Sequence, residues 1–292
     1  PDGISLSVVN LPSDLDRSLQ IEKAKQENRH ANMKFTFSDP TYSGLGDKFE
    51  WAQSCIIISY SYLKQNNFNL GYSPGEGSIA RFAKEDYYVP LKKFITLIKD
   101  HFENKNLRTA QFIDNPKHYD RLFFEQAGLG WQGKSTMMLS PGTGPWQLIG
   151  NIYVEKKFKL DKKKNYSCGS CNLCQISCPT GALDDDYVLD SNKCISYLTI
   201  EHRGDLPNEY LDKLDNWIYG CDICQQVCPW NNKFSVISKD NRFRIRKKIK
   251  NKSSEDWENL SVDNYRATFK KSAIKRTKYQ GLKRNIFANK QK

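Results

Sequence analysis

The chain has 292 residues, enough for one large or two modest domains with a true hydrophobic core. Its 38% hydrophobic content and mean hydropathy of −0.70 predict a soluble protein, and no apolar run approaches the ~20 residues that a membrane-spanning helix needs. The formal charge of +12 is unevenly placed: residues 239–292 hold 18 Lys or Arg against five Asp or Glu, and everything before them is close to neutral.

Residues 1 to about 35 are polar and read as helical, without the apolar core of a signal peptide. CIIISYSY at 55–62 is a β-branched run that suits a buried strand, with Cys55 as core packing. A Gly/Pro/Ser loop follows at 71–78. In VPLKKFITLIKDHF the apolar residues Leu91, Phe94, Ile95, Leu97 and Ile98 form a helical stripe expected to face the core. LRTAQFID alternates as a strand and ends on Asp114, which by itself reads as a turn or cap residue before Asn115-Pro116. HYDRLFFEQAG is a helix closed by Gly128, TMMLS a short strand and WQLIGNIYVE a longer one at 146–155. Elements of both kinds alternate, which predicts an α/β unit around a central sheet. GLGWQGKST between them lacks the spacing of a phosphate loop, although its glycines permit a close backbone approach to a bulky ligand.

A charged connector at 156–165 leads into a segment carrying eight of the nine cysteines. Cys168, Cys171, Cys174 and Cys178-Pro179 are spaced C-x2-C-x2-C-x3-C-P, the bacterial ferredoxin pattern, in which the fourth cysteine ligates the other cluster. Cys221, Cys224 and Cys228-Pro229 repeat the motif without its leading cysteine, and Cys194 supplies the missing ligand. One [4Fe–4S] cluster then takes Cys168, Cys171, Cys174 and Cys228, and the second takes Cys178, Cys194, Cys221 and Cys224. Paired zinc sites would not explain both C-x3-C-P endings, and disulfide frameworks belong to small secreted domains.

FID ending at Asp114, EQAGLGWQGKST, CGSCNLCQISCPTGAL, KCISYLTIEHRG, YGCDICQQVCPWN and IKRTKYQGLKRN occur here in the order found in the epoxyqueuosine reductases, which the chain resembles over most of residues 75–290. The resemblance implies an α+β protein: an α/β cobalamin-binding domain at 1–160, a ferredoxin-like double [4Fe–4S] domain at 161–236 and a basic helical tRNA-binding tail at 237–292. It implies that two clusters pass electrons from an external donor of flavodoxin or ferredoxin type to cobalamin. That cofactor reduces an epoxide on the wobble base of tRNA, with Asp114 as proton donor. Asp114 itself, with Arg81, Arg121, Met138, Ile149, Ser196 and Asp222, falls where the family contacts its cobalamin. This chain departs from the family at Tyr88, at Ser135 and at residues 115–118, and it has no evident axial histidine.

The tail reads as a surface for the anticodon stem-loop, with Lys275, Arg276, Lys278, Lys283 and Arg284 on phosphates and Tyr279 stacked on a base. Five phosphate contacts would give a log–log salt slope of about −3.5 to −4.5. The further expectations are a monomer in the cytoplasm. The alternatives are a reductive dehalogenase-like enzyme, a plain two-cluster electron carrier and an RNA-binding module with structural clusters.

Overall fold

The computed structural model describes residues 3–11, 18–33, 49–63, 77–83, 88–115, 118–141, 143–160, 165–239, 249, 252–270 and 272–290. Most of the expected loop at 71–78 and of the basic run after Lys239 lies outside them. In chain order the first half contains β1 (Ile4–Asn10), α1 (Ser18–Gln26), β2 (Ser54–Ser61), β3 (Ser78–Ile79), α2 (Tyr88–Glu103), β4 (Thr109–Phe112), α3 (Asp120–Gln126), β5 (Trp131–Gln132), β6 (Met138–Leu139) and β7 (Gln147–Val154). The second half contains α4 (Leu173–Ile176), α5 (Ile195–Ile200), α6 (Asn208–Leu211), β8 (Trp217–Tyr219), α7 (Ile223–Gln226), α8 (Trp230–Phe234), α9 (Ser254–Glu258), α10 (Val262–Phe269) and α11 (Lys278–Lys290).

The central sheet has the order β1-β2-β7-β4, and every neighbouring pair is antiparallel. All eight residues of β2 are buried, so period-two alternation serves two faces rather than a face and solvent. Ile56, Ile58 and Tyr60 pack with Leu148 and Ile152 of β7 against Leu91 and Ile95 of α2. On the opposite face Cys55, Ile57 and Tyr153 pack against Phe123, Phe124 and Met138. Helix α2 sits directly over Gly150, where a Cβ would lie 2.3 Å from Ile95 Cδ1. Cys55 is fully buried, as expected of core packing.

Two local expectations are corrected. The polar start of the chain is not helical throughout, because Ile4–Asn10 forms β1. Its alternation is weak, but β2 is a fully buried strand whose backbone groups on that side require a partner, and β1 provides them. Leu97 is not part of the buried stripe of α2. At 68% exposure it lies off the face shared by residues 91, 94, 95 and 98, because a six-residue step from Leu91 carries it around the helix.

The described part of the basic tail, residues 252–270 and 272–290, is folded onto the rest of the protein. Trp257, Leu260, Tyr265, Phe269, Ile274, Leu282 and Ile286 bury against Ile79, Ile218 and Tyr219, while β3 and β8 pair in parallel beneath them. Ser253 starts α9 with a reciprocal capping box to Asp256. Asn285 Nδ2 donates to the carbonyls of Thr199 and Ile218, both at 2.8 Å, and Asn289 Nδ2 donates to Trp217 O at 3.0 Å. The charges therefore decorate a packed layer.

Arg284 is the strongest of these ties. Its guanidinium donates to Leu198 O at 2.8 Å, His202 O at 3.1 Å and Gly204 O at 2.6 Å, at the end of α5 where carbonyls lack helical partners. Arg284→Ala leaves all three acceptors uncompensated and is expected to cost about 2–4 kcal/mol of stability. Thermal unfolding checks this, and an unchanged transition would show that water replaces the side chain.

Candidate active site and cluster ligands

None of the eight motif cysteines is in a disulfide, and the neighbours that act on five of them fall largely into two groups. Burial pushes the Cys228 thiol up to about 11, and the neighbours that act on it are Cys168, Cys174 and Cys171. Burial likewise raises Cys174, beside Cys168 and Cys171. In the second group burial raises Cys221, Cys224 and Cys194; the charges of Cys224 and Cys194 act on Cys221, those of Cys194, Cys174 and Cys178 on Cys224, and that of Cys178 on Cys194. Cys174 belongs to the first group, so the two groups are adjacent. The backbone N–H groups of Ser196 and Tyr197, at the start of α5, point at the Cys194 sulfur and favour its ionised form. Among the described residues, no three His, Cys, Asp or Glu side chains converge closely enough to hold a single metal ion.

A cleft of about 1840 Å³ lies beside this region, larger than the ~300–1,000 Å³ of an ordinary small-molecule pocket. Tyr88, Asp114, Asp120 and Arg121 line it from the sheet domain, Trp131 and Tyr166 from the approach to the cysteines, and Lys270 and Arg276 from the tail. Asp114 follows β4 in a left-handed conformation, φ +49°, and faces the cleft. The Tyr88 ring is partly exposed, but its hydroxyl end is enclosed. That burial, with the carboxylates of Asp114 and Asp120 nearby, holds the phenol well above its ordinary range, so it stays protonated and donates to Asp114. Arg121 donates to Thr136 O at 3.0 Å, and burial pulls its guanidinium down against the opposing pull of Asp120, Tyr88 and Asp114.

Sequence reasoning did not find the group behind Asp114. His118 is 95% buried, stacked between Phe112 and Phe123 with both centroid distances at 4.8 Å. Its Nδ1 lies 2.7 Å from Asp120 Oδ1, which also accepts from Asn151 Nδ2 at 2.7 Å. Burial raises the Asp120 carboxyl, and His118 pulls it down. The His118 N–H donates to Asn115 O at 3.0 Å, so the buried imidazole is tied to the residue that follows Asp114. The signal was present as an isolated histidine six residues before a Phe-Phe pair was complete, but only the fold brings Asn151 and Phe112 to it.

The expected cofactor contacts divide. Asp114 and Arg121 line the cleft; Arg81, Met138, Ile149, Ser196 and Asp222 are not among its lining residues. Arg81 stacks on Trp146 at 4.7 Å, and its backbone N–H donates to Asp222 at 2.8 Å, which ties the second cysteine run to the sheet domain. Met138 is core and Ile149 packs against the same cluster. Gly130 in GLGWQGKST serves a contact within the chain: a Cβ there would lie 1.8 Å from Leu139 O, so β5 and β6 approach through it. Lys134 of the same loop pairs with Asp186 at 3.0 Å.

Of the six residues expected on RNA, Lys275, Arg276 and Lys278 are exposed. The other three are engaged internally. Arg284 holds the end of α5, Lys283 donates to Glu258 O and lies 5.0 Å from the Phe287 ring, and Tyr279 donates to Leu260 O at 3.0 Å. Arg276 pairs with Glu201 at 2.8 Å and still faces the cleft, close enough to feel the Asp114 charge.

Residues 167–231 match the 4Fe-4S double cluster binding domain. An epoxyqueuosine reductase from Francisella cf. novicida is 41% identical over 97% of this chain and 82% of its own length, and one from Cyclobacterium marinum is 35% identical over 81% and 76%. The chain belongs to the epoxyqueuosine reductase family. Two crystal structures of epoxyqueuosine reductase superpose with TM-scores of 0.85 and 0.84 at 25% identity. Each covers 98% of this chain, which spans 77% and 76% of theirs, and the second of those proteins holds an epoxyqueuosine-modified tRNA stem loop. As a member of the epoxyqueuosine reductases the chain is an oxidoreductase, with an α+β fold and a double [4Fe–4S] domain. No helix among its described residues is long and apolar enough to cross a membrane.

Proposed function

We propose that this protein reduces epoxyqueuosine to queuosine at the wobble position of tRNA. The observation that carries the reading is that Asp114, a carboxyl beside a protonated phenol, and Arg276, a cation of the basic tail, line one cleft next to the cluster cysteines. Removing the epoxide oxygen consumes two electrons and two protons and releases water. An alkoxide is a poor leaving group, so the oxygen must be protonated as its bond to carbon breaks. Asp114 delivers that proton, solvent water supplies the second that completes the released water, and Tyr88 and Arg121 stabilise the carboxylate that remains.

The clusters take single electrons from an external low-potential donor. The cleft is roomy enough for a corrin ring, and Asp114 and Arg121 are the expected contacts that reach it. When bound, cobalamin supplies a low-potential cobalt centre able to deliver the electron pair to a carbon. Domain limits at 1–160, 161–236 and 237–292 follow the chemistry: proton delivery, electron supply and RNA binding.

The test is anaerobic incubation of cluster-loaded protein with cobalamin, a strong reductant and epoxyqueuosine-containing tRNA, followed by nucleoside mass analysis. Queuosine must appear; a protein that leaves the epoxide untouched is not this enzyme. Binding of the anticodon stem-loop should weaken with salt, with a log–log slope of about −2 to −3, as three phosphate contacts from Lys275, Arg276 and Lys278 imply. A flat response between 50 and 200 mM, roughly the range over which such contacts are lost, rejects these residues as the RNA surface.

A further inference from the structure

Tyr187 occupies a backbone position that ordinarily belongs to glycine. Residues 185–188 form a tight turn, closed by the Val188 N–H donating to Asp185 O at 3.4 Å and by a bridge between the same two residues. Tyr187 is the third residue of that turn and has φ +64°. A Cβ in this left-handed conformation crowds the following carbonyl, which is why glycine dominates there. Strain that persists in a native protein concentrates where a ligand is held.

The turn is firmly set in spite of this strain. Asp184 pairs with Arg29 at 2.7 Å and Lys193 at 3.9 Å, and Asp186 pairs with Lys134 at 3.0 Å. What the scaffold presents is the ring, which is 44% exposed and lines the same cleft as Asp114 and Arg276. Carboxylates around it make the turn a poor phosphate site. A flat aromatic face, by contrast, accepts the π-face of any unpaired base.

We infer that Tyr187 is a stacking platform for an unpaired base of the RNA substrate, a second point of RNA contact supplied by the cluster domain. This rests on tRNA being the substrate. The ring orients a base by its face, and the exposed cations of the tail hold phosphates.

Equilibrium binding of a fluorescent anticodon stem-loop to cluster-loaded protein tests it, with Tyr187→Gly and Tyr187→Phe as variants. The glycine variant should bind about 5- to 100-fold more weakly, the loss expected for one base–aromatic stack. Its salt slope should match wild type, and its thermal transition should be no lower, because the strain is relieved. The phenylalanine variant should bind within about twofold of wild type, since stacking uses the ring. Undiminished binding by the glycine variant overturns the inference, as does a phenylalanine variant equally weak, or a marked drop in the glycine variant's transition. If the wild type itself fails to bind the stem-loop, the tRNA reading falls, and this inference with it.

Discussion

Asp114→Asn is expected to keep both clusters and stem-loop affinity while turnover drops by about 10²–10⁴-fold, the usual contribution of a positioned general acid. Asparagine is the fitting replacement because Asp114 sits at φ +49°, a conformation that Asn tolerates at least as well as Asp. The amide also still accepts from the Tyr88 hydroxyl. What it lacks is an acidic proton to give to the departing oxygen. Visible absorbance of the clusters, stem-loop affinity and single-turnover product formation should therefore separate cleanly. Wild-type turnover by this variant would remove Asp114 from the chemistry and leave it as the turn residue that its position before Asn115-Pro116 first suggests.

Cys194→Ser is expected to halve the iron, from about eight to about four per chain, and to abolish turnover. Cys194 is the expected ligand that lies outside both cysteine runs. Its sulfur faces Cys178, and the start of α5 aims two backbone N–H groups at it. Serine preserves that shape and those hydrogen bonds but offers a hydroxyl in place of a thiolate. The expected cluster of Cys168, Cys171, Cys174 and Cys228 should survive, since its thiols neighbour one another and come from the segment leading into α4, from α4 itself and from the residues after α7. Iron analysis with electron paramagnetic resonance of the reduced protein reads the result. Full iron content would mean that the second cluster takes a different fourth ligand.

Cysteine spacing was legible without any fold because a [4Fe–4S] cluster demands thiolates at short, nearly invariant intervals along a chain. The same holds for β2, β7 and α2, whose apolar periodicity is strong enough to specify type and buried face. The weakly patterned β1 was not legible, since it becomes a strand only when β2 offers an edge. Nor was the fate of the basic tail: charge counts cannot tell Arg284, which holds three carbonyls in and just beyond α5, from Arg276, which faces the cleft. The His118 anchor behind Asp114 and the strained Tyr187 likewise depend on partners far away in the chain, Asn151 for one and Arg29 and Lys134 for the other. Local chemistry and repeat length are written in consecutive residues, so the amino-acid sequence alone determined the clusters, the main elements and the family. Which side chains share the cleft was decided by tertiary structure alone, because burial and hydrogen-bond partnership are properties of neighbours in space.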